Sequence, residues 1–247
     1  MKKIVLFLFC LSMMVASAAN AKEYVFKEYH YSINIPDNFV VITKDYAPPK
    51  AVNDLGASSE ELIKTMVVNQ KAMLFCYSIE DRTHFWVIAN PDNGKTNIVD
   101  AAKSKDIFNP KKMESVLVDN MKNQFGATLK ETTTYEKPDA FYIECDGEKM
   151  HKGSLQHIKQ YLTVKNSTFY GISVISLQPD KLKINAVMRP IVDSARYDIG
   201  LTKTKEDSSD SSSSSGKSPW WYAFLAVIFF GKRLWVKLKN NKDKKPE

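Results

Sequence analysis

Residue types that carry metal-binding and nucleophilic chemistry are scarce in this sequence. The chain of 247 residues has three cysteines and four histidines. His151 and His157 are six positions apart, but no pair of cysteines at a zinc-binding spacing accompanies them, because no two cysteines are close in sequence. These absences exclude the common structural zinc motifs.

Cofactor motifs are missing as well. Gly94-Lys95-Thr96 matches the end of a P-loop, but Ala89 stands where that motif requires its first glycine, so a turn explains the segment better. We therefore predict no cofactor, no metal site and no catalytic residue, and we expect that the protein is not an enzyme. The alternative is a hydrolase without a sequence motif, which would need His84 or His157 beside a carboxylate and a hydroxyl or thiol.

The positive charge of the chain is confined to its two ends. Lys2 and Lys3 contribute +2 and residues 216–247 contribute +6, which leaves −1 for residues 22–215 out of a total of +7. Binding to a phosphate backbone needs a concentrated basic surface. The distribution therefore predicts no nucleic-acid partner and assigns the basic residues to targeting and anchoring.

Residues 1–21 have the pattern of a secretory signal peptide. Two lysines precede an apolar stretch from Ile4 to Val15, and small residues follow it. Cleavage is expected after Ala21, with cleavage after Ala18 as the alternative and an uncleaved anchor as the alternative for the whole segment.

The C-terminal region is predicted to be a linker, a membrane helix and a basic tail. Residues 204–218 are serine-rich and polar, so they cannot bury apolar surface. Residues 219–238 are expected to span the membrane once, with aromatic residues at the outer interface and residues 239–247 in the cytoplasm. The anchor residues are Trp220, Trp221, Tyr222, Phe224, Phe229, Phe230, Lys232 and Arg233.

Two alternatives remain open for this membrane segment. Its uninterrupted apolar stretch of eleven residues covers only about 17 Å as a helix, which also suits a helix lying in the membrane interface. A processed sorting tail is the other alternative, although the sortase signal Leu-Pro-x-Thr-Gly is missing.

Residues 22–203 are predicted to form one extracytoplasmic α+β domain with a mainly antiparallel sheet flanked by helices. Alternating apolar residues predict a hairpin from Tyr24 to Val41 that turns at Pro36-Asp37-Asn38. Helices are expected from Ser58 or Ser59, from Asn109-Pro110 to about Gln124, and after Pro179-Asp180. Further strands are expected at 72–77, 84–89, 128–135, 140–145, 155–164 and 168–177, with a turn at Lys165-Asn166-Ser167.

Cysteines and paired aromatics in these strands leave two questions open. Cys76 and Cys145 could form a disulfide if their strands are neighbours, and buried free thiols are the alternative. The adjacent aromatics Phe85-Trp86 and Phe141-Tyr142 point to opposite faces of their strands. Either both faces of the sheet are covered, or one exposes an aromatic patch to a partner.

The segment YSINIPDNFVVIT, from Tyr31 to Thr43, resembles the opening of PsbP-like domains. SSEELIK, from Ser58 to Lys64, and the paired strands at 72–90 are similar to secreted bacterial proteins of that fold. The resemblance covers residues 24–197 and extends to the Mog-type Ran-binding protein and a bacterial envelope lipoprotein. It implies a sheet flanked by helices and a non-catalytic binding or assembly role. Photosystem function does not carry over, because no metal-binding or photosystem-contact residues match.

The predicted location outside the cytoplasm and the missing catalytic motifs together predict a class of function. We expect a single-pass, membrane-tethered extracytoplasmic module that binds or scaffolds a protein or envelope component. An envelope-stress or quality-control factor, whose cytoplasmic tail contacts other membrane proteins, is the alternative.

Overall fold

The computed structural model describes residues 20–92, 100–106 and 108–199. The predicted signal peptide up to residue 19, the linker, the anchor residues Trp220 to Arg233 and the basic tail lie outside these described residues. Within them, no helix combines the length and the apolar character needed to cross a bilayer.

The described chain is an α+β domain with a mainly antiparallel sheet flanked by helices, as predicted. Its strands are β1 (Ala21–Phe26), β2 (Tyr31–Pro36), β3 (Val40–Thr43), β4 (Ala72–Ser78), β5 (Thr83–Pro91), β6 (Thr128–Lys137), β7 (Ala140–His151), β8 (Ser154–Lys165) and β9 (Thr168–Ser176). Its helices are α1 (Pro49–Leu55), α2 (Ser59–Leu62, continued by a π-helical segment at Ile63–Val68), α3 (Pro110–Phe125) and α4 (Lys181–Ser194). Seven strands form one sheet in the order β3-β4-β5-β9-β8-β7-β6, and β1 and β2 form a separate two-stranded ribbon.

The predicted hairpin from Tyr24 to Val41 is wrong in its pairing. β2 pairs with β1, so that Tyr24 lies opposite Ile33, whereas β3 pairs with β4. The segment after Pro36 carries the chain from the ribbon to the sheet, and the Asp37 N–H donates to the Asn20 carbonyl at 3.0 Å. β1 is joined to β2 by a short connection, whereas β4 is more distant from β3 in sequence, so the apolar pattern alone did not identify the partner of either strand.

One face of the sheet, the ribbon face, is covered by the ribbon and α4. α4 begins where the Asp180 side chain accepts a hydrogen bond from the Leu182 N–H, which confirms the predicted start. The core beneath it is apolar and rich in tyrosine, with buried contributions from Tyr31, Ile33, Phe85, Val87, Tyr142, Tyr170, Ile172, Ile184, Met188 and Tyr197. Burial of these side chains fixes the ribbon against the sheet.

The other face, the helix face, is covered in two places. α1 and α2 pack over β3 and β4, and α3 packs over the strands at the far end of the sheet. α3 starts at the predicted Asn109-Pro110, where Asn109 caps the Lys111 N–H, and ends at Gly126, whose φ of +64° is left-handed. Phe141 is buried on this face and Phe85 and Tyr142 on the other, so both faces are covered.

Charged side chains join α4 to β7 and β8. Arg189 contacts Glu144 at 3.0 Å and Lys181 contacts Glu148 at 3.0 Å. Lys159 contacts Glu144 and also Asp146, the latter at 3.1 Å, and both Lys159 and Glu144 are buried. These ion pairs therefore add to the apolar packing of Ile184, Met188, Ile191 and Val192 in holding α4 to the sheet.

Candidate functional site

A groove of about 920 Å³ runs along the outer edge of β3. Its walls are β1, the connection from β2 to β3, the start of α1 and the turn between β4 and β5. This volume falls within the usual range of ligand pockets, about 300–1,000 Å³. We call this surface the edge groove.

The backbone of β3 is open toward the edge groove. β3 is one of the two edge strands of the sheet, the other being β6, and Thr43 exchanges hydrogen bonds with Tyr46. In an antiparallel pair, the residues that bond the neighbour alternate with residues that point away. Val41, two residues before Thr43, therefore directs its N–H and C=O outward, and no described residue pairs with them.

The walls of the edge groove are aromatic and apolar. Tyr24, Phe39, Val41, Tyr46, Tyr77 and Ile79 contribute to the lining. Tyr46 is 58% exposed and Ile79 is 64% exposed, which is unusual for side chains of this size. Burial raises the pKa of Tyr24, and the nearby Cys76 and Asp37 raise it further, so its hydroxyl is neutral at physiological pH.

The negative charge of one groove acid is balanced by a neighbouring lysine. The Tyr77 hydroxyl donates to Asp54 at 2.9 Å, and Lys50 contacts the same carboxylate at 3.1 Å. These hydrogen bonds lower the pKa of Asp54, whereas burial and the bond to Asp54 raise the pKa of Tyr77. Asp54 therefore orients Tyr77 and leaves little charge for a ligand.

Two other acids carry no ion pair within the described residues. Asp37 and Glu80 stand at the end of the groove where the β2–β3 connection approaches the β4–β5 turn, and both are exposed. Asn38 joins the two segments by donating to Asp81 at 2.6 Å. The cation Lys22 lies 5.3 Å from the centre of the Tyr24 ring. Aromatic faces beside uncompensated carboxylates favour a cationic group flanked by apolar ones.

Sequence reasoning did not find this site. Tyr77 and Phe39 were predicted as ordinary strand residues, while Tyr46 and Ile79 lie in connections without a motif. Their convergence depends on β3 being an edge strand, which is a consequence of long-range pairing. The alternation from Tyr31 to Thr43 was the only local signal.

The two cysteines of the domain are free and buried. Cys76 on β4 faces the ribbon-side core, and Cys145 on β7 faces the core under α3. Four strand spacings separate β4 from β7 in the sheet, roughly 19 Å, so no disulfide joins them in this structure. Burial also raises the pKa of both thiols.

His84 lies in an aromatic environment on the helix face. Its ring centre is 5.7 Å from that of Phe75 and 6.3 Å from that of Trp86. Burial, with a contribution from Lys149, lowers the pKa of His84 to about 4. The imidazole is therefore neutral at physiological pH.

His157 comes closer to the arrangement that a hydrolase would need. Its Nδ1 lies 3.5 Å from Glu148, and Ser176 stands opposite it on β9. The Ser176 hydroxyl, however, bonds Thr83 at 2.7 Å, and neither ring nitrogen of His157 makes a hydrogen bond to a described residue. All three side chains are buried or half-buried. That the protein is not an enzyme stays a prediction.

Comparison with known proteins gives similarities of structure only. No protein-family model matches the sequence. No curated protein matches it either.

Several solved structures resemble the described fold. A cyanobacterial PsbP from Synechocystis is 9% identical with a TM-score of 0.49, and the match covers 72% of this chain and 93% of that one. LpqN of Mycobacterium tuberculosis, involved in cell envelope biogenesis, is 11% identical with a TM-score of 0.40, covering 71% and 83%. A variant of Mog1 is 8% identical with a TM-score of 0.39, covering 74% and 98%. These names agree with the resemblance drawn from the sequence, but such values assign neither a family nor an activity.

Proposed function

We propose that the domain is a binding module whose edge groove holds an extended, cationic peptide segment of an envelope partner. The observation that carries the proposal is that the N–H and C=O of Val41 point away from β4, beside aromatic walls. Two acids that make no ion pair with a described residue, Asp37 and Glu80, stand in the same groove. A strand added at a sheet edge gains main-chain hydrogen bonds, and its side chains then select the partner. Tyr24, Tyr46 and Ile79 would contact its apolar side chains, and Asp37 and Glu80 its lysine or arginine.

We also propose that the module is held outside the cytoplasm by the predicted C-terminal anchor. This address rests on the signal-peptide pattern and on the apolar stretch with its following basic residues. Partners would then be segments of proteins at the same membrane surface.

The test compares two labelled peptides in a fluorescence anisotropy titration of the full chain in detergent. The first is a decapeptide of alternating valine and lysine. The second has the same length and alternates valine with glutamate. We expect the lysine peptide to bind about tenfold more tightly, because the groove acids attract it and repel the other. Equal affinities would contradict the electrostatic part of the proposal, and no binding of either peptide would contradict the groove itself.

Charge reversal within the groove sharpens this test. The double variant Asp37→Lys with Glu80→Lys should exchange the preference between the two peptides. Glu60→Lys with Glu61→Lys is the charge-matched control, since both are exposed acids on α2 away from the groove lining. A preference that changes equally in the control would show that net charge, and not this groove, selects the peptide.

A further inference from the structure

The β7–β8 hairpin projects past the rest of the sheet. β9 ends at Ser176 opposite His157, and β6 begins at Thr128 opposite Glu148. β7 and β8 continue to pair beyond these residues as far as His151 and Ser154. The projecting part is three residues per strand, roughly 10 Å. Lys152 and Gly153 close it with φ of +49° and +78°, as a tight two-residue turn requires.

The projecting hairpin exposes large apolar side chains. Met150 and Leu155 lie directly opposite each other and are 67% and 44% exposed. At the same end of the molecule, Leu182 in the first turn of α4 is 76% exposed. The bond between Lys181 and Glu148 holds the start of α4 beside the hairpin. We call residues 149–155 and 181–183 the basic tip.

Lysines dominate the charge of the basic tip and its base. Lys152 and Lys183 make no ion pair with a described residue, whereas Lys130 and Lys181 share the one carboxylate of Glu148. Glu148 and Asp180 are outnumbered by the lysines in this region, which are Lys130, Lys149, Lys152, Lys181 and Lys183.

We infer that the basic tip docks onto an anionic lipid bilayer. Exposed Met and Leu side chains on a projecting turn can enter the boundary between headgroups and acyl chains, while lysines nearby attract anionic headgroups. Each lysine near such a surface adds to the attraction, so the unpaired Lys152 and Lys183 both favour docking. The inference rests on the proposed anchor, whose apolar stretch starts at Trp220 and would keep the domain within reach of a membrane.

This surface is distinct from the edge groove. The groove lies at β3 and the tip at β7 and β8, on opposite halves of the sheet. The groove carries uncompensated acids and the tip carries uncompensated lysines. Peptide binding and bilayer docking can therefore succeed or fail independently.

The test places an environment-sensitive NBD label on Ser154→Cys in the full chain. Cys76 and Cys145 are buried and should stay unlabelled, and Cys10 is replaced by serine. The protein is reconstituted into nanodiscs of phosphatidylcholine alone or with roughly one-third phosphatidylglycerol. Ser115→Cys, an exposed serine on α3, carries the same label as the matched control.

We expect NBD emission at position 154 to rise about twofold in the anionic discs and to change little at position 115. High salt and the pair Lys152→Glu with Lys183→Glu should each reverse most of the rise. An equal signal in neutral and anionic discs, or equal signals at both positions, would overturn the inference. A rise at position 154 in lipid-free detergent that grows with protein concentration would show that the tip binds a second copy instead.

Discussion

At the scale of single residues, Lys159 is the buried cation on which two carboxylates depend. We expect Lys159→Met to lower the free energy of unfolding by about 3–5 kcal/mol, because Asp146 would lose its cation in a buried setting and Glu144 would keep only Arg189. Urea denaturation measures this loss. Lys105→Met, which breaks the exposed pair with Glu136, is the control and should cost less than about 1 kcal/mol. Equal losses would mean that the Lys159 cluster is solvated.

His84 makes a second prediction at this scale. Burial is the main cause that lowers its pKa in the folded protein from the ordinary value of 6.5 to about 4. Between pH 6.5 and 4 the imidazole is therefore protonated in the unfolded chain and neutral in the folded one. The free energy of unfolding falls as the pH falls from 6.5 toward 4. The full effect is of order 3 kcal/mol. We expect His84→Phe to flatten this part of the pH profile, measured by urea midpoints, and an unchanged slope would contradict the burial of the imidazole.

At the scale of secondary-structure elements, the open edge of β3 has a direct signature. We expect the amide of Val41 to exchange with solvent deuterium at least about tenfold faster than that of Ile42, since only Ile42 lies in a hydrogen-bonded pair with β4. Residue-resolved hydrogen exchange measures both amides in one sample. Similar protection of the two would mean that another segment pairs with this edge. Binding of the lysine peptide should slow Val41 selectively.

Some elements could be predicted from local sequence and others could not. α3 was found because Asn109, Pro110 and Gly126 mark its ends chemically, and the β8–β9 turn because Asn166 accepts the left-handed backbone there. The ribbon pairing, the length of β7 and helix α1 were missed. β1 and β2 are consecutive strands and β7 pairs with its chain neighbours β6 and β8, so local apolar patterns did not fix which segments pair or where they end. α1 has no side-chain cap to mark its start. The edge groove depends on the pairing of β3 with β4, which are further apart in sequence.

At the scale of the whole molecule, the proposed anchor would attach the domain to a membrane. We expect the full chain to stay in the membrane pellet after alkaline carbonate extraction, because a spanning helix resists this treatment. A chain ending at residue 218 should move to the soluble fraction. Release of the full chain would favour the interfacial helix or the processed tail.

The position of signal-peptide cleavage would affect the groove, because the residues at the start of β1 contact the connection from β2 to β3. Ala21 pairs with Pro36, and the Asn20 carbonyl accepts from Asp37. A cut after Ala18 keeps both contacts, whereas a cut after Ala21 removes them and leaves a new ammonium group on Lys22, a residue of the groove wall. The position of the predicted cleavage would therefore change the proposed binding surface: the longer mature form would keep the contact between Asn20 and Asp37, and the shorter one would place an additional positive charge beside Asp37.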